Sequence, residues 1–197
     1  MAVRLETERV ELRTMGACDA AMVLQYYRDN AAHLGPWDPP RPRGFLTEAW
    51  WIERLAKDWA DLDAGRSCRM FLLLRSGPDA GAKIIGNAAL SNVVRGAMQG
   101  ASVGYSIAAD ALGQGLMTEA LRDGLIKHAF RPRAEGGMGL HRLQAGYVPD
   151  NERSGAVLHR LGFDRIGVAK EYLHIGGQWR DHVLMQLIAP SDQASAD

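Results

Sequence analysis

The run Gly113-Gln114-Gly115-Leu116-Met117-Thr118-Glu119-Ala120-Leu121 decides how the rest of the chain reads. Ahead of it Ala101 to Ile107 reads as a strand, and Ala108 to Leu112 carry the chain to the glycines. Behind it Met117, Leu121, Leu125 and His128 recur along one side of a helix spanning 116–130. A strand that turns through glycines into a helix N-terminus leaves unpaired N–H groups and the positive end of the helix dipole facing outward, which suits an anion. Each such contribution is about 0.3–1 kcal/mol when exposed and ~2 when partly buried, so several amides must converge on one ligand. Gly-x-Gly is equally at home in a plain turn. No Gly-Lys-Ser/Thr follows, which excludes a Walker loop, and Thr118 stands where the dinucleotide fingerprint Gly-x-Gly-x-x-Gly needs its last glycine.

Upstream, Leu5 to Met15 alternates as one strand, and 19–30 reads as a helix with Ala21, Leu24 and Tyr26/Tyr27 on one side. The Pro-rich stretch 33–44 is a stiff loop, because proline fixes φ and removes donors. Thr47 then caps a helix carrying Trp51, Ile52, Leu55, Trp59 and Leu62 at helical spacing, which Gly65 ends. Met70 to Leu74 is a continuous apolar run, the mark of a strand covered on both faces, and Lys83 to Val94 is the next strand.

Downstream, Arg142 to Val148 is a strand, and Asn151 opens a short helix that Gly162 terminates. Strands 163–175 and 178–188 flank the hairpin turn Gly176-Gly177. The order implies a single α/β domain over 1–189 around a mixed sheet of about seven strands, with a frayed polar tail at 190–197.

A second candidate site is Asn151-Glu152-Arg153-Ser154. Asn151 is a natural N-cap. Ser154 shares a helix face with Val157, Leu158 and Leu161, so its hydroxyl points inward and needs a partner. That partner is either the cap region of its own helix or a ligand held between this helix and the one after Gly115.

Composition narrows the classes. The 197 residues suit one domain, which buries roughly 70% of its unfolded surface and needs no staples. Lys plus Arg number 23 and so do Asp plus Glu; a net charge of zero argues against a nucleic-acid binder driven by electrostatics. Cys18 and Cys68 form neither a ligand pair nor a disulfide framework, and the six histidines lack His-Glu-x-x-His spacing, so no metal is expected. Charges in the first nine residues and the absence of ~18 consecutive apolar residues lead us to expect a soluble cytoplasmic protein.

Taken together, Tyr105-Ser106-Ile107, the Gly113 to Leu121 run, His141-Arg142-Leu143, Asn151-x-x-Ser154, Leu161-Gly162-Phe163 and Tyr172 through Gln178-Trp179-Arg180-Asp181-His182-Val183-Leu184 occur in an order that resembles the GNAT acetyltransferase superfamily. Within it they resemble the RimJ/RimL group, which acetylates ribosomal-protein N-termini, on its alanine-specific side. Trp37-Asp38-Pro39 looks like that group too. The resemblance implies a sheet splayed between 101–107 and 142–148 with acetyl-CoA wedged in the gap and no metal. Its diphosphate would rest on N–H groups of Leu112, Gly113, Gln114, Gly115, Leu116 and Met117. Leu112 replaces the Gln or Arg with which that loop usually begins in the family, which removes one side-chain contact. By the same likeness Asn151 would bond the pantetheine arm, and Ser154 would sit by the sulfur and protonate the departing thiolate. Backbone near Ser106 and Ile107 would polarise the thioester, and Trp37, Asp38 and Tyr105 would meet the acceptor.

The acceptor nitrogen must be uncharged. An α-amine of pKa ~7.7–8 is neutral far more often at pH 7 than a lysine at ~10.4, a difference of about 3–4 kcal/mol. Ser102 stands where many relatives have a carboxylate, so no strong base lies on that strand, which favours an α-amine. Weaker bases are Glu171 and Tyr172, then Asp38 and Asp181. For each a structural role competes: Glu171 as a solvated charge, Tyr172 as core, Asp38 in a turn, Asp181 as an ion-pair partner. The expected partners are acetyl-CoA and a protein N-terminus, ribosomal in this group, with no direct nucleic-acid or membrane contact; a dimer stays open. Two rivals remain on sequence alone. One is the same fold acetylating a small amine such as an antibiotic or polyamine; the other is a non-catalytic CoA-sensing or ribosome-assembly module.

Overall fold

The computed structural model describes residues 2–190, so most of the expected tail at 190–197 lies outside the described residues. Eight strands form one sheet: β1 (Arg4–Glu6), β2 (Val10–Arg13), β3 (Cys68–Leu74), β4 (Ile84–Val94), β5 (Gly100–Ile107), β6 (Arg142–Tyr147), β7 (Asp164–Ile175) and β8 (Gln178–Ile188), in the spatial order β1-β2-β3-β4-β5-β6-β8-β7. The count exceeds the expected seven because the segment expected as one strand is a hairpin. Thr7 closes it, its N–H donating to the Val10 carbonyl at 2.9 Å and its hydroxyl oxygen accepting from the Val10 N–H at 3.1 Å.

All pairings are antiparallel except β5–β6, which is parallel and short: Gly100↔Arg142, Ala101↔Leu143 and Ser102↔Gln144. Beyond Ser102 the two strands part, and Val103 to Ile107 have β4 as their only neighbour among the described residues. The sheet is therefore splayed where expected.

Helices α1 (Ala20–Asp29), the short α2 (Ala31–Leu34) and α3 (Glu48–Asp63) lie on one side. Thr47 caps α3 by accepting from the Trp50 N–H. In α1 the buried set is Ala20, Val23, Leu24, Tyr26 and Tyr27, with Ala21 exposed; in α3, Trp51 and Leu55 are buried, but Ile52 is 42% exposed. On the other side α4 (Leu116–Glu119), a π-helical segment Ala120–Ile126 and α5 (Lys127–Phe130) join into the one helical run expected over 116–130. Gly124 in the wide part of that run lets Leu12 approach; a Cβ there would lie 2.8 Å from Leu12 Cδ1. The last helix, α6 (Glu152–Arg160), contacts β6 and α4. Among the described residues no helix is long and apolar enough to cross a membrane.

The core is the middle of β3 and β4 with both helical layers: Phe71, Leu72, Met70, Leu90, Trp51, Leu121 and Leu125 are all within 1% of complete burial. Burying such a side chain contributes about 1.5–3 kcal/mol. This packing backs β3 and β4, and β5 pairs with β4 from Val94↔Gly100 to Gly86↔Ile107.

Candidate active site

Beyond the end of β5 the chain passes through Ala109–Ala111 to the glycines. Gly113 (φ 74°) and Gly115 (φ 75°) are both left-handed, a conformation that L side chains enter at a cost of about 1–2 kcal/mol. Among the described residues the N–H groups of Gly113, Gln114, Gly115, Leu116 and Met117 have no acceptor, and a Cβ on Gly113 would meet open space. Leu112 departs from expectation, since its N–H already donates to the Ala109 carbonyl at 3.4 Å. The Gln114 side chain is also engaged, donating to the Asp110 carbonyl at 2.9 Å.

The loop is anchored from an unexpected direction. Glu119, buried in the first turn of the run, accepts from Thr7 Oγ1 at 2.6 Å, from the Arg9 N–H at 2.7 Å and from Arg9 Nε at 2.6 Å. Burial alone would raise its pKa, but these three donors outweigh it and hold the carboxyl below its ordinary value. Arg9 Nη1 also donates to the Gln114 carbonyl at 3.0 Å. Thr7, Arg9 and Glu119 were not among the expected site residues, because no local pattern links positions 110 apart.

Opposite the glycine loop, Asn151 caps α6 as expected, its Oδ1 accepting from the Ser154 N–H at 3.2 Å, which leaves its Nδ2 free to donate. The Ser154 hydroxyl does not bond back to its own cap. Its Oγ lies 3.0 Å from the Tyr105 hydroxyl, whose single hydrogen is shared between that oxygen and the Ser154 carbonyl at 2.9 Å. Tyr105 thus bridges the splay. Burial pushes its pKa up to about 12, against a lowering by the Ser154 bond, so it stays a neutral donor. The helix can sit this close because residue 155 is glycine: a Cβ there would lie 2.8 Å from the Tyr147 ring.

Strand alternation sorts the remaining β5 residues. The Ala108 N–H donates to Ile85 across β4, so the Ser106 N–H also turns toward β4, while those of Tyr105 and Ile107 face the gap. This corrects Ser106: its amide does not line the gap. Its hydroxyl points to the other face, 2.9 Å from the Tyr26 hydroxyl and accepting from Asn87 Nδ2 at 2.6 Å; Asn87 also donates to the Tyr27 hydroxyl at 3.2 Å.

The remaining candidates lie in the Pro-rich loop and in the β7–β8 hairpin. Asp38 is half-buried, which raises its pKa against the lowering effect of its ion pair with Arg41 at 3.2 Å. Its carbonyl accepts from the Gly176 N–H at the β7–β8 turn, tying the Pro-rich loop to that hairpin. Trp37 is 38% exposed beside it. Glu171 sits at φ 46° in a bulge between Ala169 and Leu173, its N–H donating to Asp181 Oδ1 at 2.9 Å. A non-glycine residue held there is strained, and such strain collects at functional sites. Asp181 is occupied: Lys170 at 2.6 Å and the Glu171 amide hold its carboxyl below the usual range.

Tyr172 is exposed, its ring 5.6 Å from that of His182. His182 is 3% exposed and leans over Gly146 of β6; a Cβ there would lie 3.6 Å from its Cδ2. Its Nδ1 lies 3.0 Å from the Arg180 carbonyl, which can only accept, so Nδ1 is the donor. Tyr26, Asn87 and His182 were not foreseen as site residues. Cys18 is exposed and Cys68 buried, with no group of three metal-ligating side chains among the described residues. The arrangement is a splay with unpaired amides at one end, among the described residues, a hydroxyl pair midway and a cluster of polar side chains on the far face.

Comparison with known proteins agrees with this geometry. Residues 9–164 match the family model of the acetyltransferase (GNAT) domain. The [ribosomal protein uS5]-alanine N-acetyltransferase of Escherichia coli (strain K12) is 40% identical over 188 residues, covering 95% of this chain and 92% of that protein. The ribosomal-protein-S5-alanine acetyltransferase of Vibrio fischeri superposes with a TM-score of 0.85 at 34% identity, over 96% of this chain and 98% of that one. The Mycobacterium smegmatis RimJ in complex with CoA-disulfide gives 0.82 at 28% identity, over 100% and 90%.

Proposed function

The chain belongs to the GNAT acetyltransferase family, and on that premise we propose that it transfers the acetyl group of acetyl-CoA to the N-terminal α-amine of a ribosomal protein, with alanine as the first residue. The relatives' substrates support this acceptor, and a cytoplasmic setting goes with it. The observation that carries the reading is the splay: three paired residues, then a gap leading from Ser154 and Tyr105 to five amides without acceptors among the described residues.

The amides of Gly113 to Met117 hold the diphosphate, with Leu112 packed beside them and contributing no donor. Asn151 Nδ2 bonds the pantetheine arm. The N–H groups of Tyr105 and Ile107 polarise the thioester carbonyl, acting from a preformed strand edge that needs no reorganisation. The neutral amine nitrogen attacks that carbonyl carbon directly, a new N–C bond forms, and the C–S bond breaks with its electron pair going to sulfur. Ser154 Oγ–H protonates the leaving sulfur and takes a proton back from solvent as the products leave, and Tyr105 holds that hydroxyl in place. Glu171, through a water, takes the proton that the nitrogen sheds, with Tyr172 beside it. Trp37 and Asp38 line the entry of the acceptor. The exposed Cys18 and buried Cys68 lie outside this line, consistent with no acyl-enzyme.

The test is acetyl transfer from labelled acetyl-CoA onto peptides beginning Ala, Ser or Met, beside lysine peptides and aminoglycosides. We expect label on the α-amine of Ala peptides. Label on aminoglycosides alone would overturn the protein acceptor, and no turnover with any amine would leave a binding module.

A further inference from the structure

We infer that Arg9, latched by Glu119, is a positioning residue for diphosphate binding: it sets the Gln114–Gly115 peptide so that the Gly115 N–H faces the ligand. The inference rests on the proposed acetyl-CoA reading and deepens it.

In a trans peptide the C=O and the following N–H point in opposite directions. Arg9 Nη1 holds the Gln114 oxygen at 3.0 Å on the side of the N-terminal hairpin. The Gly115 N–H is thereby turned to the other side, with its neighbours. Gly115 is left-handed and exposed, a glycine whose backbone has many other conformations open to it. Nothing else among the described residues bonds that carbonyl.

The latch that fixes Arg9 is itself over-determined. Glu119 accepts two bonds on Oε1, from Thr7 and the Arg9 amide, and one on Oε2 from Arg9 Nε, so both the backbone and the guanidinium of Arg9 are held by one carboxylate. That carboxylate belongs to the first turn of the helix whose start forms the cradle. Loop, helix and hairpin are therefore clamped at one point. Arg9 lies on the carbonyl side of the peptide, so it acts through the loop and not as a direct phosphate ligand. It replaces in function the side-chain contact that Leu112 cannot make.

The test compares wild type with Arg9→Met and Arg9→Lys on three acyl donors: acetyl-CoA, its dephospho form lacking the 3′-phosphate, and S-acetylpantetheine, which has no phosphate. Losing one aligned amide of about 1 kcal/mol should raise KM about fivefold. We expect that rise in Arg9→Met for both nucleotide donors and an unchanged KM for S-acetylpantetheine. Arg9→Lys, which cannot bond Glu119 and Gln114 in the same fork, should fall between. Equal losses on all three donors would make Arg9 merely structural and overturn the inference. A loss confined to acetyl-CoA would mean direct contact with the 3′-phosphate and overturn it too. Unchanged KM values in variants that bind CoA normally would end it. Failure of the wild type to bind CoA in a thermal-shift assay would instead sink the acetyl-CoA reading.

Discussion

On the proposed mechanism, replacing Ser154 by alanine removes the hydroxyl that protonates the leaving sulfur, and its consequence can be sized. A hydrogen bond to a group that gains charge contributes about 1.5–3 kcal/mol. At 1.36 kcal/mol per factor of ten, kcat should fall roughly 10- to 150-fold. The diphosphate amides are elsewhere, so the Kd for CoA should be nearly unchanged. Tyr105→Phe should cost less, because its hydroxyl meets Ser154 Oγ at 3.0 Å as a neutral pair worth about 0.5–1.5 kcal/mol, or roughly 2- to 12-fold. Since Tyr105 acts through Ser154, the double variant should be no slower than Ser154→Ala alone. Steady-state thiol release with an Ala peptide gives kcat and KM, and calorimetry gives the Kd for CoA. A Ser154→Ala enzyme with normal kcat and a raised KM would refute the role of general acid. Fully additive losses in the double variant would refute the Tyr105–Ser154 coupling.

Three further outcomes follow from the same geometry. Glu119 has a depressed folded pKa, so its stabilisation is present above the unfolded value of 4.5 and is lost as pH falls through the folded value; urea melts should show Glu119→Gln about 1.5 kcal/mol less stable at pH 7, discounted for the half-exposed Arg9, with the gap closing toward pH 3. His128 is lowered from 6.5 chiefly by burial and secondarily by Arg131, so the unfolded chain takes up its proton first and wild-type stability should decline as pH drops below 6.5; His128→Gln should flatten that slope, and an unaltered slope would exclude His128 as its source. Gly155→Ala should place a methyl against the Tyr147 ring at 2.8 Å, an overpacking of about 1–3 kcal/mol that lowers Tm and, by shifting α6, lowers kcat as well; normal kcat in a folded variant would mean Ser154 tolerates that shift.

Much of the fold was legible because glycines and caps punctuate it. Thr47, Gly65, Gly162 and Gly176-Gly177 mark element ends that the structure reproduces within a residue or two. The β1–β2 hairpin was not legible, since Thr7-Glu8-Arg9 contains no usual turn residue. It is held by Thr7 and by Glu119, a carboxylate 112 positions from Thr7. The motif residues Gly113, Gly115, Asn151 and Ser154 could be named from the chain, but which face each β5 residue takes could not. That depends on the register fixed by the Ala108–Ile85 bond, which places Tyr105 at Ser154 and Ser106 at Tyr26. Tyr26 reads as core on an amphipathic helix, and Asn87 as one polar position in a buried strand; their meeting at the Ser106 hydroxyl is set by tertiary packing alone. The bulge that sets Glu171 at positive φ is imposed by pairing with β8 and has no glycine to announce it.

The most direct check is a crystal structure with CoA bound. The account predicts the diphosphate within hydrogen-bonding distance of the Gly113 to Met117 amides, the pantetheine arm running between β5 and β6, and the sulfur beside Ser154 Oγ. Coenzyme bound elsewhere, with the space beyond Ser102 and Gln144 closed by the protein's own side chains, would contradict it.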